Sequence, residues 1–591
     1  MKTKIFLLNT LILLAACAAT PETRVAESEK LDRVVEAYFE ASLEMNPLFA
    51  TFIGDHRFND RLPNTLGPEY RERERALERT YLEKIRAIDV TRLEGQDRIT
   101  YETFRLDRER AIEGERFPAH LIPINQFFSM PNFFALLGSG QSVQPFGTVK
   151  DYENWLDRVD GFVVLMRQAE ANLREGVRQG ITQPKIIVEK VLPQLAAHVV
   201  SDPEQSLFWN PVKNMPEDFS PEDRERLTAA YRKAIETRIV PAYRGLHDYL
   251  RAEYLPAARD TFGLYALPDG RAWYEYRIRM STTTALPAAA IHAMGLAEVK
   301  RIRGEMEKVM RSVGFDGTLA EWFEYVKSAD RFYYDNEEAL LDGYRAIETR
   351  MNKAVPKLFD VDPEAGFEVR AVEAFRAASA AGASYQSPSP DGSRPGIFYV
   401  NTHNLRAQPK FGMETLFIHE AIPGHHFQIA LQIALDDLPR FRRFGGYTAF
   451  SEGWALYAES LGKELGFFQD PMQWYGRLSD EMLRAMRLVV DTGLHSEGWT
   501  RERAIAFMQQ NSSMAYSDIV AEVERYMAIP GQALAYKIGQ FRISELRERA
   551  ARELGGDFDI REFHTQVLMD GALPLDVLEA KIDRWIAAER G

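Results

Sequence analysis

Three histidines flank one glutamate in the run Phe417-Ile418-His419-Glu420-Ala421-Ile422-Pro423-Gly424-His425-His426. A His-Glu pair with further histidines close behind suits a metal held by imidazole nitrogens beside a carboxylate placed as general base. The spacing sets a condition on the backbone. In a regular helix, residues four apart lie about 6 Å apart along the axis and nearly in register. The position four after His419 is Pro423, so a ligand must come from further on. His425 is six residues on, about 9 Å along the axis and on the wrong face; His426 is seven on, in register but about 10.5 Å away. Zinc needs each nitrogen within about 2.1 Å. A continuous helix therefore cannot bring His419 and either later histidine to one ion. Pro423-Gly424 is the sequence that interrupts it. A break of two residues returns His425 to the second-ligand position, and His426 is the other candidate.

A third ligand is expected from Phe450-Ser451-Glu452-Gly453-Trp454-Ala455-Leu456-Tyr457-Ala458-Glu459. Glu452 follows Ser451 among apolar neighbours that would bury it, and a buried carboxylate needs a partner or a metal. Glu459 is two turns on, roughly on the same face. Further along, Arg484, Arg487, Asp491 and His495 form a polar stripe at helical spacing. Asp491 is placed to orient His495 at i, i+4. His495 would then donate to a tetrahedral intermediate, and an arginine, Arg487 or Arg525, would hold a substrate carboxylate. Asn401 and His403 follow a short apolar strand and are candidates to touch substrate.

Tyr399-Val400-Asn401, then a helix with His-Glu, then a glutamate on the next helix is similar to the gluzincin metallopeptidases. That resemblance implies an edge strand that holds the substrate backbone, zinc bound by two histidines and a distant glutamate, and a motif glutamate that activates water. It also implies a tyrosine or histidine on a late helix as oxyanion donor, for which Tyr536 is the choice. Two features depart from the pattern. The second histidine comes two or three positions late, and Leu456 stands where several gluzincins carry an acid four residues after the glutamate ligand. The full His-Glu-x-x-Pro-Gly-His-His form resembles a bacterial family catalogued as domain of unknown function 885, whose members are often lipoproteins. The resemblance extends to Gly180 to Leu195, Tyr254 to Met306 and Arg487 to Gly539.

The elements that must position these residues are mostly helical. Leu31, Val34, Val35, Tyr38 and Phe39 open a series of amphipathic segments. Ser220-Pro221-Glu222-Asp223 reads as a helix start, and Pro241 should kink the helix that follows. Residues 117–149 are aromatic and rich in glycine and proline, and read as an excursion. Trp273 to Ser281 reads as a short extended piece. Phe367-Glu368-Val369 and Ile397 to Val400 read as strands, and a lobe boundary falls near 360. The expected fold is mainly α: a two-lobed helical body with a deep cleft and a small β element beside the metal-binding helix. Residues 18–360 form the N-terminal lobe and 361–591 the catalytic lobe.

Residues 1–17 read as a bacterial lipoprotein signal. Lys2 and Lys4 precede the apolar run Ile5 to Leu14, and Leu14-Ala15-Ala16-Cys17 places a lipidated cysteine at the cut. The run is too short to span a bilayer comfortably. Cys17 is the only cysteine among 591 residues, so neither disulfides nor a thiolate metal site enter the mature body. A formal net charge of -14 argues against nucleic acid as a partner. The expectation is a zinc-dependent hydrolase that cleaves short peptides as an oligopeptidase or carboxypeptidase. It would be lipid-anchored in the bacterial envelope, facing the periplasm, on the outer membrane. Hydrolysis of non-peptide amides or esters, and peptide or metal binding without turnover, are the alternatives.

Overall fold

Amphipathic periodicity carries most of this chain into helices, and one small sheet interrupts them. The computed structural model describes residues 21–590 apart from 374–376, 378–381, 390, 391 and 393. The leader and Cys17 lie outside the described residues. Among the described residues, no helix is long and apolar enough to cross a membrane.

Local signals act where the residue types require. The Ser220 hydroxyl accepts from the Asp223 N–H at 3.1 Å and caps the helix that starts at Pro221. That helix widens to a π turn over Ile235–Ile239, just ahead of Pro241, whose ring leaves no room for the regular ladder. The excursion contains a short helix, Met130–Gly138. The extended piece expected at Trp273 is instead inside a helix, Gly270–Thr282. Trp273, Tyr274 and Ile278 are buried on one face of it, so the spacing that read as extended is the helical period of a half-buried face.

The sheet has the order β1 (Phe367–Ala371), β3 (Gly396–Val400), β2 (Ala383–Gln386). β1 runs parallel to β3 with Phe367 opposite Gly396, and β2 runs antiparallel to it with Ala383 opposite Val400. β3 is therefore the central strand, not the edge strand the sequence suggested. Its run Gly-Ile-Phe-Tyr-Val is buried at every position, as a strand covered on both faces requires. β1 alternates between half-buried and exposed side chains. Both edge strands touch the His-Glu helix Met413–Glu420: β2 along its backbone, and β1 through Phe367, whose ring lies 6.1 Å from that of Phe417.

Two close helix pairs form the frame around the site. Ala288–Ser312 lies along Pro471–His495, and Gly295 permits the approach: a Cβ there would stand 2.7 Å from the Leu488 side chain. Thr448–Ser460 crosses Ala535–Leu554 at Gly453 and Gly539. A Cβ on Gly453 would stand 2.4 Å from the Cα of Gly539, so only glycine allows this contact. The main hydrophobic core gathers Trp273, Tyr344, Phe359, Phe398, Phe417 and Trp454, from both sides of residue 360. A second core, which includes Phe134, Trp155, Phe208 and Tyr243, is wholly N-terminal.

Candidate metal centre

The His-Glu helix ends at Glu420, and the next helix begins at His425. Between them the chain leaves helical geometry at Ala421 and passes through a cis Ile422–Pro423 peptide. Gly424 then presses against the end of the first helix. A Cβ on it would stand 2.0 Å from the His419 carbonyl oxygen and 2.2 Å from that of Ile418. The N–H of Phe427 reaches back to the Ala421 carbonyl at 3.4 Å, six residues instead of four. Two residues are thus looped out, and His425 comes round to the side where a regular helix would place the residue four after His419.

His419 Nε2 lies 3.5 Å from one oxygen of Glu452, and His425 Nε2 lies 3.4 Å from the same oxygen. The three donor atoms lie within 4.8 Å of one another. Ligands about 2.0–2.1 Å from a tetrahedral zinc stand about 3.4 Å apart along a tetrahedron edge. The two distances to Glu452 match that edge. Glu452 Oε2 is also buried without a hydrogen-bond partner, so it is free to face a cation. The donor set of two imidazoles and one carboxylate is that of open zinc sites, and the residues fit the metal. The side chain of His419 is 5% exposed, while those of His425 and Glu452 are 13% and 20% exposed, so any opening for a substrate lies on the side of the latter pair.

Adjacent residues of a helix point about 100° apart. When His425 faces Glu452, His426 must face elsewhere, and it turns to the sheet. Its Nδ1 pairs with the Tyr385 hydroxyl at 2.9 Å, its ring lies 4.8 Å from that of Phe367, and it bonds the Ala365 backbone. Burial pushes its pKa down to about 4. Of the two late histidines, only His425 joins the cluster.

The carboxylate the sequence left without a role is Glu459. It is fully buried, and its oxygen lies 2.8 Å from His419 Nδ1. An imidazole anchored this way presents Nε2 to the metal side. Burial opposes protonation of His419, but Glu452 and Glu459 outweigh it and hold the imidazolium up to about 10. Burial likewise opposes ionisation of Glu452, and His425 and His419 overcome it, so its carboxyl is held well below the usual range. Next to this pair, Asp480 is raised by burial despite Arg484, and it also senses Glu459 and His419. Arg484 pairs with Asp480 at 3.2 Å.

Glu420 is half-buried at the helix end, directly after His419. Its charge acts on the buried Tyr344 hydroxyl, which has no hydrogen-bond partner. The other sequence-predicted residues divide. His495 is fully buried with both ring nitrogens occupied: Nδ1 accepts from the Leu264 N–H at 3.0 Å, and Nε2 donates to the Tyr526 carbonyl at 2.9 Å. It has no proton to offer an intermediate. Asp491 does not orient it; that carboxylate accepts from the Tyr274 hydroxyl and from the Gly531 N–H. The i, i+4 spacing was helical, but stronger donors from other elements took the carboxylate.

Arg487 donates to Glu522 at 3.0–3.1 Å and stacks 4.4 Å over the Tyr536 ring, so its guanidinium is spent within the protein. Arg525 donates to Gln532 at 2.9 Å and approaches the Tyr536 hydroxyl at 3.5 Å. Tyr536 is one turn before Gly539, on the helix that crosses the one carrying Glu452. Asn401 donates to the Ala377 carbonyl at 2.8 Å and accepts from the His403 N–H at 3.1 Å, which ties down the loop after β3. The sequence placed Glu459 on the same face as Glu452, two turns on, and the structure gives it its partner, His419.

Among the solved structures that match, two span nearly the whole chain. One is described as "the putative lipoprotein from Colwellia psychrerythraea", with 30% sequence identity, TM-score 0.87, and 95% of this chain and 99% of that chain covered. The other, "a putative lipoprotein of unknown function from Shewanella oneidensis", has 18% identity, TM-score 0.75 and the same coverage, a likeness of fold. No curated protein matches the chain. A family profile described as "Bacterial protein of unknown function (DUF885)" matches residues 47–582, and the chain belongs to this family.

Proposed function

We propose that this protein is a zinc-dependent hydrolase that cleaves short peptides. The observation that carries the reading is the convergence of His419, His425 and Glu452 on one buried carboxylate oxygen at tetrahedral spacing, with Glu420 directly after the first ligand. His419, His425 and Glu452 would hold the zinc, and Glu459 would fix the ring of His419. Zinc, when bound, supplies Lewis acidity toward a carbonyl oxygen and lowers the pKa of water.

The protein's own groups do the rest. Glu420 takes a proton from the attacking water and delivers it to the leaving amine. Tyr536 is the candidate donor to the developing oxyanion, with Arg487 over its ring and Arg525 near its hydroxyl. β2 has an outer edge unpaired among the described residues and touches the His-Glu helix, which suits a substrate backbone laid alongside as an added strand. The lipoprotein descriptions of the two neighbours, with the Cys17 signal, support an envelope protein tethered by lipid; a periplasm-facing place on the outer membrane is part of the proposal.

The test is metal analysis of the purified protein followed by turnover of a peptide library by wild type and Glu420→Gln. One zinc per chain, and a loss of at least about 100-fold in turnover with zinc retained, is the expected result. Absence of stoichiometric zinc binding, or unchanged hydrolysis by the variant, would overturn the reading.

A further inference from the structure

We infer that Trp454 is a positioning residue for the metal centre: its indole N–H holds the carbonyl of Pro423 and thereby sets where His425 enters the site. The inference rests on the metal-site reading above and adds to it the device that keeps the interrupted helix in register.

Pro423 lies in the gap between two helices, where its carbonyl has no place in either ladder. The indole of Trp454 is fully buried, and its single donor must find an acceptor there. It donates to the Pro423 carbonyl at 2.8 Å. The ring itself cannot swing away. It packs edge-on to His564, with centroids 5.7 Å apart, and against Phe359 and Tyr457. His564 is in turn fixed by the Tyr457 hydroxyl and the Leu358 carbonyl, each at 2.8 Å.

The helix Thr448–Ser460 therefore meets the His-Glu-x-x-Pro-Gly-His segment at three points. Glu452 faces both histidine nitrogens, Glu459 holds His419 from behind, and Trp454 holds the loop between the histidines. Opposite Trp454, Gly424 lies against the His419 carbonyl with no room for a side chain. The loop is fixed from both sides. His419 has its own anchor in Glu459, whereas the Nδ1 of His425 is buried without a hydrogen-bond partner. His425 depends on its backbone for its place, and that backbone follows directly from Pro423 and Gly424. Removal of the indole N–H should thus disturb one ligand and spare the other.

The test uses the full chain as wild type, Trp454→Phe, and Tyr243→Phe as a matched control. Tyr243→Phe removes a fully buried hydrogen bond, 2.7 Å to the Pro131 carbonyl, from the N-terminal core, with no part in holding Trp454 or the metal loop. Zinc affinity is measured by competition with a chromophoric chelator, the ligand field by the absorption spectrum of the cobalt-substituted protein, and stability by thermal melting of the metal-free form. Trp454→Phe is expected to weaken zinc at least about 10-fold and to change the cobalt spectrum, as loss of outer support to a ligand does. Tyr243→Phe should lower the melting temperature with both metal readouts unchanged. Gly424→Ala displaces the same loop from the other side and should reproduce the Trp454→Phe metal phenotype, which serves if the latter fails to fold. Wild-type zinc affinity and an unaltered cobalt spectrum in Trp454→Phe or in Gly424→Ala, or an equal loss of zinc in Tyr243→Phe, would overturn the inference. A wild type that binds no zinc would instead overturn the metal reading beneath it.

Discussion

His419 and Glu459 meet through a single 2.8 Å contact between imidazole Nδ1 and a carboxylate oxygen, both fully inside the protein. The contact fixes the tautomer of His419 and leaves Nε2 directed at Glu452. It also puts a buried negative charge behind the ligand, which raises the basicity of the ring. Glu459→Gln keeps the shape but removes the charge. Zinc affinity should fall about 10- to 100-fold, as measured by chelator competition, with far-ultraviolet circular dichroism unchanged. Equal affinity in the two proteins would mean that the contact only fills space.

The same contact sets a pH dependence. In the metal-free protein the His419 imidazolium is held up to about 10, so near neutral pH zinc must displace its proton. Zinc affinity should therefore rise between pH 6 and pH 8, by up to about tenfold per unit from this group. In Glu459→Gln the proton is held less tightly and the slope should be shallower. Dissociation constants at three pH values in both proteins give the two slopes. Parallel slopes would detach the effect from Glu459.

Much of this centre was legible in the residues. His-Glu followed late by His-His, with Pro-Gly between, required a break in the helix, and the break occurs at those residues. Glu452 was legible as a buried carboxylate in an apolar run. The choice between His425 and His426 was not, because it depends on how many residues the break absorbs, and that is set by Trp454 and by the close approach of Gly424 to His419. Glu459 was legible as a carboxylate on the same face as Glu452, but its partner was not, because the contact to His419 Nδ1 spans forty residues. The order of the sheet was hidden for another reason. Strand signals are local, while strand order depends on partners far apart in sequence, and the third strand, Ala383–Gln386, lies in a stretch of small polar residues with weak β preference. His495 shows the limit of spacing as evidence: its position on the stripe was correct, and its bonds went to the backbone.

The two late histidines give a direct contrast. His425→Ala removes a member of the cluster and should abolish stoichiometric zinc while costing little stability, since the side chain is partly exposed and makes no protein hydrogen bond at Nδ1. His426→Ala removes a buried ring packed between Tyr385 and Phe367. It should keep zinc and lose about 1–3 kcal/mol of stability from the unpaired Tyr385 hydroxyl and the void left behind. Zinc content and denaturant melts of both variants separate these outcomes. The reverse pattern would exchange the roles of the two residues.

His495 leads to the last prediction, which concerns acid stability. Burial pushes its pKa down to about 3, and the same cause pushes His564 down to about 3 and His426 down to about 4. An unfolded histidine titrates near 6.5. Below that pH the unfolded chain takes up protons that these three buried rings refuse, so the folded state loses stability as pH falls from about 6.5 toward their folded values. Each group costs about 1.4 kcal/mol per pH unit over that window, and above about pH 7 none contributes. Stability of the metal-free protein should drop steeply between pH 6 and pH 4. His495→Gln is expected to be less stable at pH 7, because the Leu264 N–H and the Tyr526 carbonyl lose well-placed partners, at about 1–3 kcal/mol each. Its decline toward pH 4 should nevertheless be shallower by one proton, and its turnover per folded, zinc-loaded molecule should equal that of wild type. Denaturant melts across the pH range, with turnover at neutral pH, test both parts. A loss of turnover without a loss of stability would return His495 to the reacting centre.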